Sequence, residues 1–252
     1  MTKLFQKFNT AVKAMALCCD GEDASKSPVA KSEVYNETWM LRMTLAAIHD
    51  HEGEFGCADE VLDHIRRTVR VRWISEGGLE PVFEHEGPTW TDAIIGDVKL
   101  GDRDKRKVHV VEEVHAGIVI IEAKMGSELS TGVTNSKDYD QFARNIACLA
   151  KLLIKSGAES VCERSRVVVI GPDKKWTVDP NGLLEKVIDT IKAQGYKRAY
   201  RDGLDENVIL RVARKIKDNS RVVTWEDVIN ALDGDVNRND LAAFYDAAKS
   251  EM

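Results

Sequence analysis

The residues best suited to chemistry lie in GIVIIEAKM (117–125), where a carboxylate, Glu122, and an amine, Lys124, close an apolar run with one residue between them. Side chains alternate along a strand, so Glu122 and Lys124 share a face with Ile118 and Ile120, while Ala123 takes the other. Charges at the end of an apolar strand are costly unless they find partners. Asp92, in TWTDAIIGDV, is one such partner. If its strand neighbours that of Glu122, two carboxylates converge and can hold one divalent cation. Mg²⁺ takes oxygen ligands, typically one or two carboxylates with waters and a substrate phosphate. Lys124 beside that cation would orient an attacking water or help to deprotonate it, and the cation would stabilise charge building on a phosphate.

Asp97 competes with Asp92 for this place. The two are an odd number of residues apart, so an unbroken strand sends them to opposite faces and only one can meet Glu122. Glu37 falls in line with Leu41, Thr44 and Ile48 at helical spacings. A carboxylate on that stripe either has a partner or sits half-exposed at its edge. Further on, DYDQFARN puts Gln141, Arg144, Asn145 and Cys148 on one helical face, opposite Phe142, Ile146, Leu149 and Leu153. For Arg144 and Asn145 an ordinary solvated face is the expectation.

These residues need a scaffold, and the chain supplies a pattern for one. An amphipathic helix near the N-terminus carries Leu4, Phe5, Phe8, Val12 and Met15 on one side. The polar segment DGEDASKSP (20–28) reads as a linker. A helix from about Ser32 to His49 follows, then GEFGCADEVLDHIRRTVRVRW, a turn and short helix running into a strand. TDAIIGDV and AGIVIIEAKM are rich in β-branched residues and read as strands, with a hairpin loop at GDRDKRK. SELSTGVTNS is a loop, DYDQFARNIACLAKLLIKS a helix ending at Gly157, and RVVVIGP a buried strand. From Pro180 onward the pattern is helical. The order suggests a mixed sheet with helices on its faces, divided as an N-terminal helix and linker (1–30), a core (31–178) and a C-terminal helical extension (179–252).

Composition bounds the function classes. With 252 residues, 43% hydrophobic and 31% charged, the chain is long enough for a sizeable core and is of globular type. It has no apolar stretch of membrane-span length, and the short run near the N-terminus, interrupted by Lys13, is a poor signal peptide. Five cysteines without CxxC spacing suit reduced thiols in a cytoplasmic protein. The net charge of −6 argues against a protein that coats nucleic acid, although clusters such as Arg66, Arg67, Arg70 and Arg72 allow local phosphate contact. HDHE (49–52) reads as a polar helix end. No P-loop, dinucleotide-binding or GxSxG motif occurs.

The set Asp92, Glu122 and Lys124, within TDAII and IIEAKM, resembles the PD-(D/E)XK nuclease superfamily over roughly residues 33–171. The apolar AII after Asp92 matches that family's pattern and, with Gly96–Asp97 marking a strand end, selects Asp92 over Asp97. Pro88 stands four residues before Asp92 instead of adjoining it. The resemblance implies a restriction-endonuclease-like αβββαβ core. It also implies Mg²⁺ (or Mn²⁺ in its place) held by Asp92, Glu122 and the Ala123 carbonyl, with Lys124 activating water. Glu37 is similar in position to a helix glutamate that reaches the metal in many members, and Gln141 to a glutamine that approaches the site in the RecB-like branch. The expected function is metal-dependent phosphodiester hydrolysis, with DNA as the expected partner, no membrane, and a homodimer or larger complex left open. The alternative is a catalytically silent nuclease-fold protein that binds nucleic acid or another protein.

Overall fold

The computed structural model describes residues 4–19, 36–50, 72–101, 107–112, 114–125, 139–172, 180–232 and 237–250. The polar linker at 20–28, the segment 53–71, the hairpin tip 102–106 and the loop SELSTGVTNS lie outside the described residues.

Two apolar faces on each buried strand require two covering layers, and the chain provides both. Five strands, β1 (Trp73–Leu79), β2 (Thr89–Ile95), β5 (Val119–Ala123), β6 (Arg166–Gly171) and β7 (Arg221–Thr224), form one sheet in the order β1-β2-β5-β6-β7. β1, β2 and β5 are antiparallel neighbours, whereas β5, β6 and β7 run parallel. β5 is buried along its whole length, as a central strand covered on both faces must be. Between β2 and β5 a small hairpin, β3 (Val98–Leu100) with β4 (Val108–Val110), is inserted.

One face of the sheet, through Ala93, Ile121 and Ile170, packs against α1 (Leu4–Cys19), α2 (Glu37–Asp50), α6 (Trp225–Ala231) and α7 (Arg238–Ser250). The other, through Ile94, Ile120 and Val169, packs against α3 (Gln141–Lys155), α4 (Pro180–Lys197) and α5 (Glu206–Asn219). The result is a helix–sheet–helix α/β architecture. Local chemistry sets several boundaries. Asp140 caps α3 by accepting from Ala143 N at 2.8 Å, and Gly157, at φ 64°, lets the chain leave it. Thr224 and Asp227 form a reciprocal capping box at the start of α6.

Within TDAIIGDV, Gly96, at φ 128°, ends β2 at Ile95, where the sequence marks a strand end, and β3 begins at Val98. One expectation needs correction: the stretch after Pro180 is not wholly helical. Arg221–Thr224 is a strand that pairs in parallel with β6. Four β-branched or polar residues between two strongly periodic helices are too few to display a period of their own. With β7 in the sheet and helices in both outer layers, residues 180–250 contribute to the same hydrophobic clusters as residues 72–172. Among the described residues, no helix is long and apolar enough to cross a membrane.

Candidate functional site

The site lies where β2 and β5 part company. Their ladder pairs Ile95 with Val119, Ile94 with Ile120 and Ala93 with Ile121, then stops. Continuing the register by one residue sets Asp92 opposite Glu122. Lys124 N donates to Ile170 O of β6, so the N–H of Ala123 faces β2. It meets no strand carbonyl there. Instead it donates to Asp92 Oδ2 at 2.7 Å. The β1–β2 ladder likewise skips this level, pairing Ser75 with Ala93 and Gly77 with Thr91 but leaving out Glu76 and Asp92. Glu76 is left-handed at φ 59°, a conformation that costs a non-glycine residue about 1–2 kcal/mol. Arg42 holds this kink from α2, with Nη2 at 3.2 Å from Glu76 Oε1 and Nε at 3.2 Å from Ser75 Oγ.

Glu122 is fully buried. Its Oε1 accepts from Lys124 Nζ at 2.6 Å, and its Oε2 accepts from Asn145 Nδ2 of α3 at 3.2 Å. Glu37, at the start of α2, accepts from Met125 N at 3.3 Å and places Oε1 4.0 Å from Lys124 Nζ. Three carboxylates therefore surround one ammonium. Burial first, and then the charge of Asp92, push the Glu122 carboxyl up to about 8, against the pull of Lys124 and Asn145. Burial also raises Asp92, opposed by the Ala123 N–H and Lys124. Glu37 is raised by burial and by Asp92, with Lys124 opposing. Burial by itself would lower Lys124, but Glu122, Asp92 and Glu37 outweigh it and the amine is raised. The cluster is short of positive charge, and Lys124 is an ammonium at neutral pH.

The structure brings together Asp92, Glu122, Lys124 and Glu37, along with the backbone of Ala123 and Met125. Gln141 opens α3 one turn before Asn145, half-buried, with no side-chain hydrogen bond to this cluster among the described residues. Asp97 serves elsewhere, its Oδ2 accepting from the N–H groups of His115 and Ala116 at the approach to β5. Sequence reasoning assigned Asn145 to a solvated face, but it is buried and holds Glu122. The signal was its spacing of three and four from Phe142 and Leu149, which puts it on the packed side. Arg144 is tied down as well, donating to Gly87 O at 2.7 Å and Pro88 O at 3.4 Å.

Trp225 was missed altogether as a site residue. It is buried at the start of α6, and its Nε1 donates to Lys124 O at 2.8 Å. A contact spanning 101 residues leaves no trace in local pattern.

No family model, no curated protein and no solved structure matches this chain. The site therefore rests on its own chemistry. Among the described residues no three Asp, Glu, His or Cys side chains form a ready cation cage. The cluster offers instead two facing carboxylates, a third at its margin, and backbone at a broken ladder. That all-oxygen donor set, with its deficit of positive charge, fits a hard divalent cation that keeps part of its hydration shell.

Proposed function

We propose that this chain is a Mg²⁺-dependent phosphodiesterase of restriction-endonuclease-like fold that hydrolyses nucleic acid, DNA first of all. The observation that carries the reading is Asp92 opposite Glu122 at the end of β5, with the Lys124 amine 2.6 Å from Glu122. The element order α2-β1-β2-β5-α3-β6 is compatible with the αβββαβ core that the resemblance implies.

Asp92, Glu122 and the Ala123 carbonyl would hold the cation, with Glu37 at its margin. When bound, a divalent cation polarises a phosphate and lowers the pKa of a coordinated water. The chain's own residues do the rest. Lys124, held as an ammonium, orients the water and balances charge on the phosphate oxygens. Asn145 fixes the Glu122 carboxylate by its amide N–H, and Trp225 fixes the backbone carrying Lys124. Burial of Glu122 excludes bulk water from the acidic pair.

The test is cleavage of plasmid and single-stranded DNA with Mg²⁺ or Mn²⁺ by the wild type and Lys124→Ala. Loss of cleavage in the variant is the expected result, with a fall in rate on the order of 10²–10³-fold or more. A silent nucleic-acid-binding protein is the second reading. It is favoured by the lack, among the described residues, of a ready three-ligand cage. Salt-sensitive binding without cleavage in any metal would select it.

A further inference from the structure

Two residues before Asp92 on β2, Trp90 is 42% exposed and borders a cavity of about 310 Å³. That is at the small end of the range for ligand sites, about 300–1,000 Å³. Across the β1–β2 ladder from Trp90 stands Gly78, which brings no side chain. Leu79, Pro81 and Pro88 add apolar wall. The cations at the rim are already engaged: Lys107 pairs with Glu80, and Arg201 donates to Phe83 O and Glu86 O, each at 2.8 Å. With Glu80 and Glu86 also lining it, the cavity is poorly suited to a free phosphate and better suited to a neutral, planar, hydrogen-bonding group.

Glu86, also in the wall, is 5% exposed, and its Oε2 accepts from Phe83 N at 3.2 Å. The cavity is also tied to the carboxylate cluster. Arg144 pins its rim at Gly87 and Pro88, and the next residue on α3, Asn145, holds Glu122.

We propose that this cavity receives a nucleobase of the strand crossing the Asp92–Glu122 site, stacked on the Trp90 indole. The identity of the strand rests on the phosphodiesterase reading. The base must be unpaired to enter, so the pocket selects single-stranded or locally opened substrate. Stacking on an aromatic face tolerates any base.

The experiment measures binding of a short fluorescent single-stranded oligodeoxynucleotide by anisotropy, with chelator present so that no cleavage intervenes. Trp90→Ala is expected to weaken binding about 5- to 150-fold, and Trp90→Phe to retain most of it. One abasic position in the oligonucleotide should weaken wild-type binding by a similar factor and cause no further loss in Trp90→Ala. Unchanged affinity in Trp90→Ala, or equal losses from every abasic position in both proteins, overturns the proposal. If no metal supports cleavage but the coupling between Trp90 and one base persists, the phosphodiesterase reading fails and the base pocket stands. Normal cleavage with Trp90→Ala binding as wild type gives the reverse.

Discussion

Asp92 and Glu122 stand opposite each other one level beyond the end of the β2–β5 pairing, and the N–H of Ala123 is taken by Asp92 Oδ2 at 2.7 Å. A side-chain oxygen has replaced the strand carbonyl that a continued ladder would supply. The replacement anchors Asp92 beside Glu122, leaving two acidic groups in a dry place with Lys124 as their nearest cation.

The pH dependence of stability follows from Glu122. Burial and the neighbouring Asp92 push its carboxyl up to about 8 in the folded protein, from an ordinary value of 4.5. A group raised on folding makes the folded state bind more protons than the unfolded one between those values. Its contribution is therefore favourable below about pH 4.5 and is lost as pH rises toward 8. Glu122→Gln mimics the protonated form. At pH 8.5 and without divalent cation, the variant should be more stable than wild type by about 1–3 kcal/mol, with the difference shrinking at pH 5. Thermal unfolding across this range checks it, and a wild type more stable at pH 8.5 would refute the electrostatic account.

Divalent cation should act on the same property. Mg²⁺ or Mn²⁺ at roughly ten times its dissociation constant stabilises a folded protein by about 1.4 kcal/mol. The expected result is a rise in Tm for wild type, larger at pH 8.5 than at pH 6, and none for Asp92→Asn or Glu122→Gln. Ca²⁺ serves as a control for oxygen-ligand binding without turnover. An equal rise in the variants would place the cation elsewhere.

Trp225→Phe removes one hydrogen bond and little volume. The carbonyl of Lys124 would lose its indole donor, at a cost of about 1–3 kcal/mol for a buried acceptor left unmet. If Trp225 positions Lys124, kcat should fall while KM for DNA changes little. A stability loss with unchanged kcat would assign the indole to packing alone.

Gly117 is a test of the scaffold. A Cβ there would lie 1.9 Å from Arg164 O, a backbone atom that cannot swing away. Gly117→Ala should cost more than about 3 kcal/mol or prevent folding, since overpacking against backbone exceeds ordinary core strain. Chemical denaturation measures it, and a near-neutral result would show that the entry to β5 shifts freely.

The strands carrying the acidic pair were legible because alternation and β-branching mark them, and the helix of Phe142 to Leu153 because its period is strong. Parity along the strand put Glu122 and Lys124 on one face, and the family pattern preferred Asp92 to Asp97, whose carboxylate turns out to close a turn. What escaped were features without local signature. β7 is too short for its alternation to stand out between two helices. Asn145 was read by its polarity, although its spacing from Phe142 and Leu149 pointed inward. Trp225 reaches Lys124 only through the fold of the whole chain. Glu76 gives no hint, as a glutamate, that its backbone is left-handed.

The unmade rung beneath Asp92 also gives the protein a built-in reporter. The amide proton of Ala123 binds an ionisable oxygen where a strand would normally offer a neutral carbonyl, so its NMR frequency and solvent exchange would track the state of Asp92. Neighbouring amides of β5, locked to β6, would stay silent and provide the baseline. Occupancy of the acidic pair, by proton or by metal, could thus be followed at one backbone resonance without altering a single side chain.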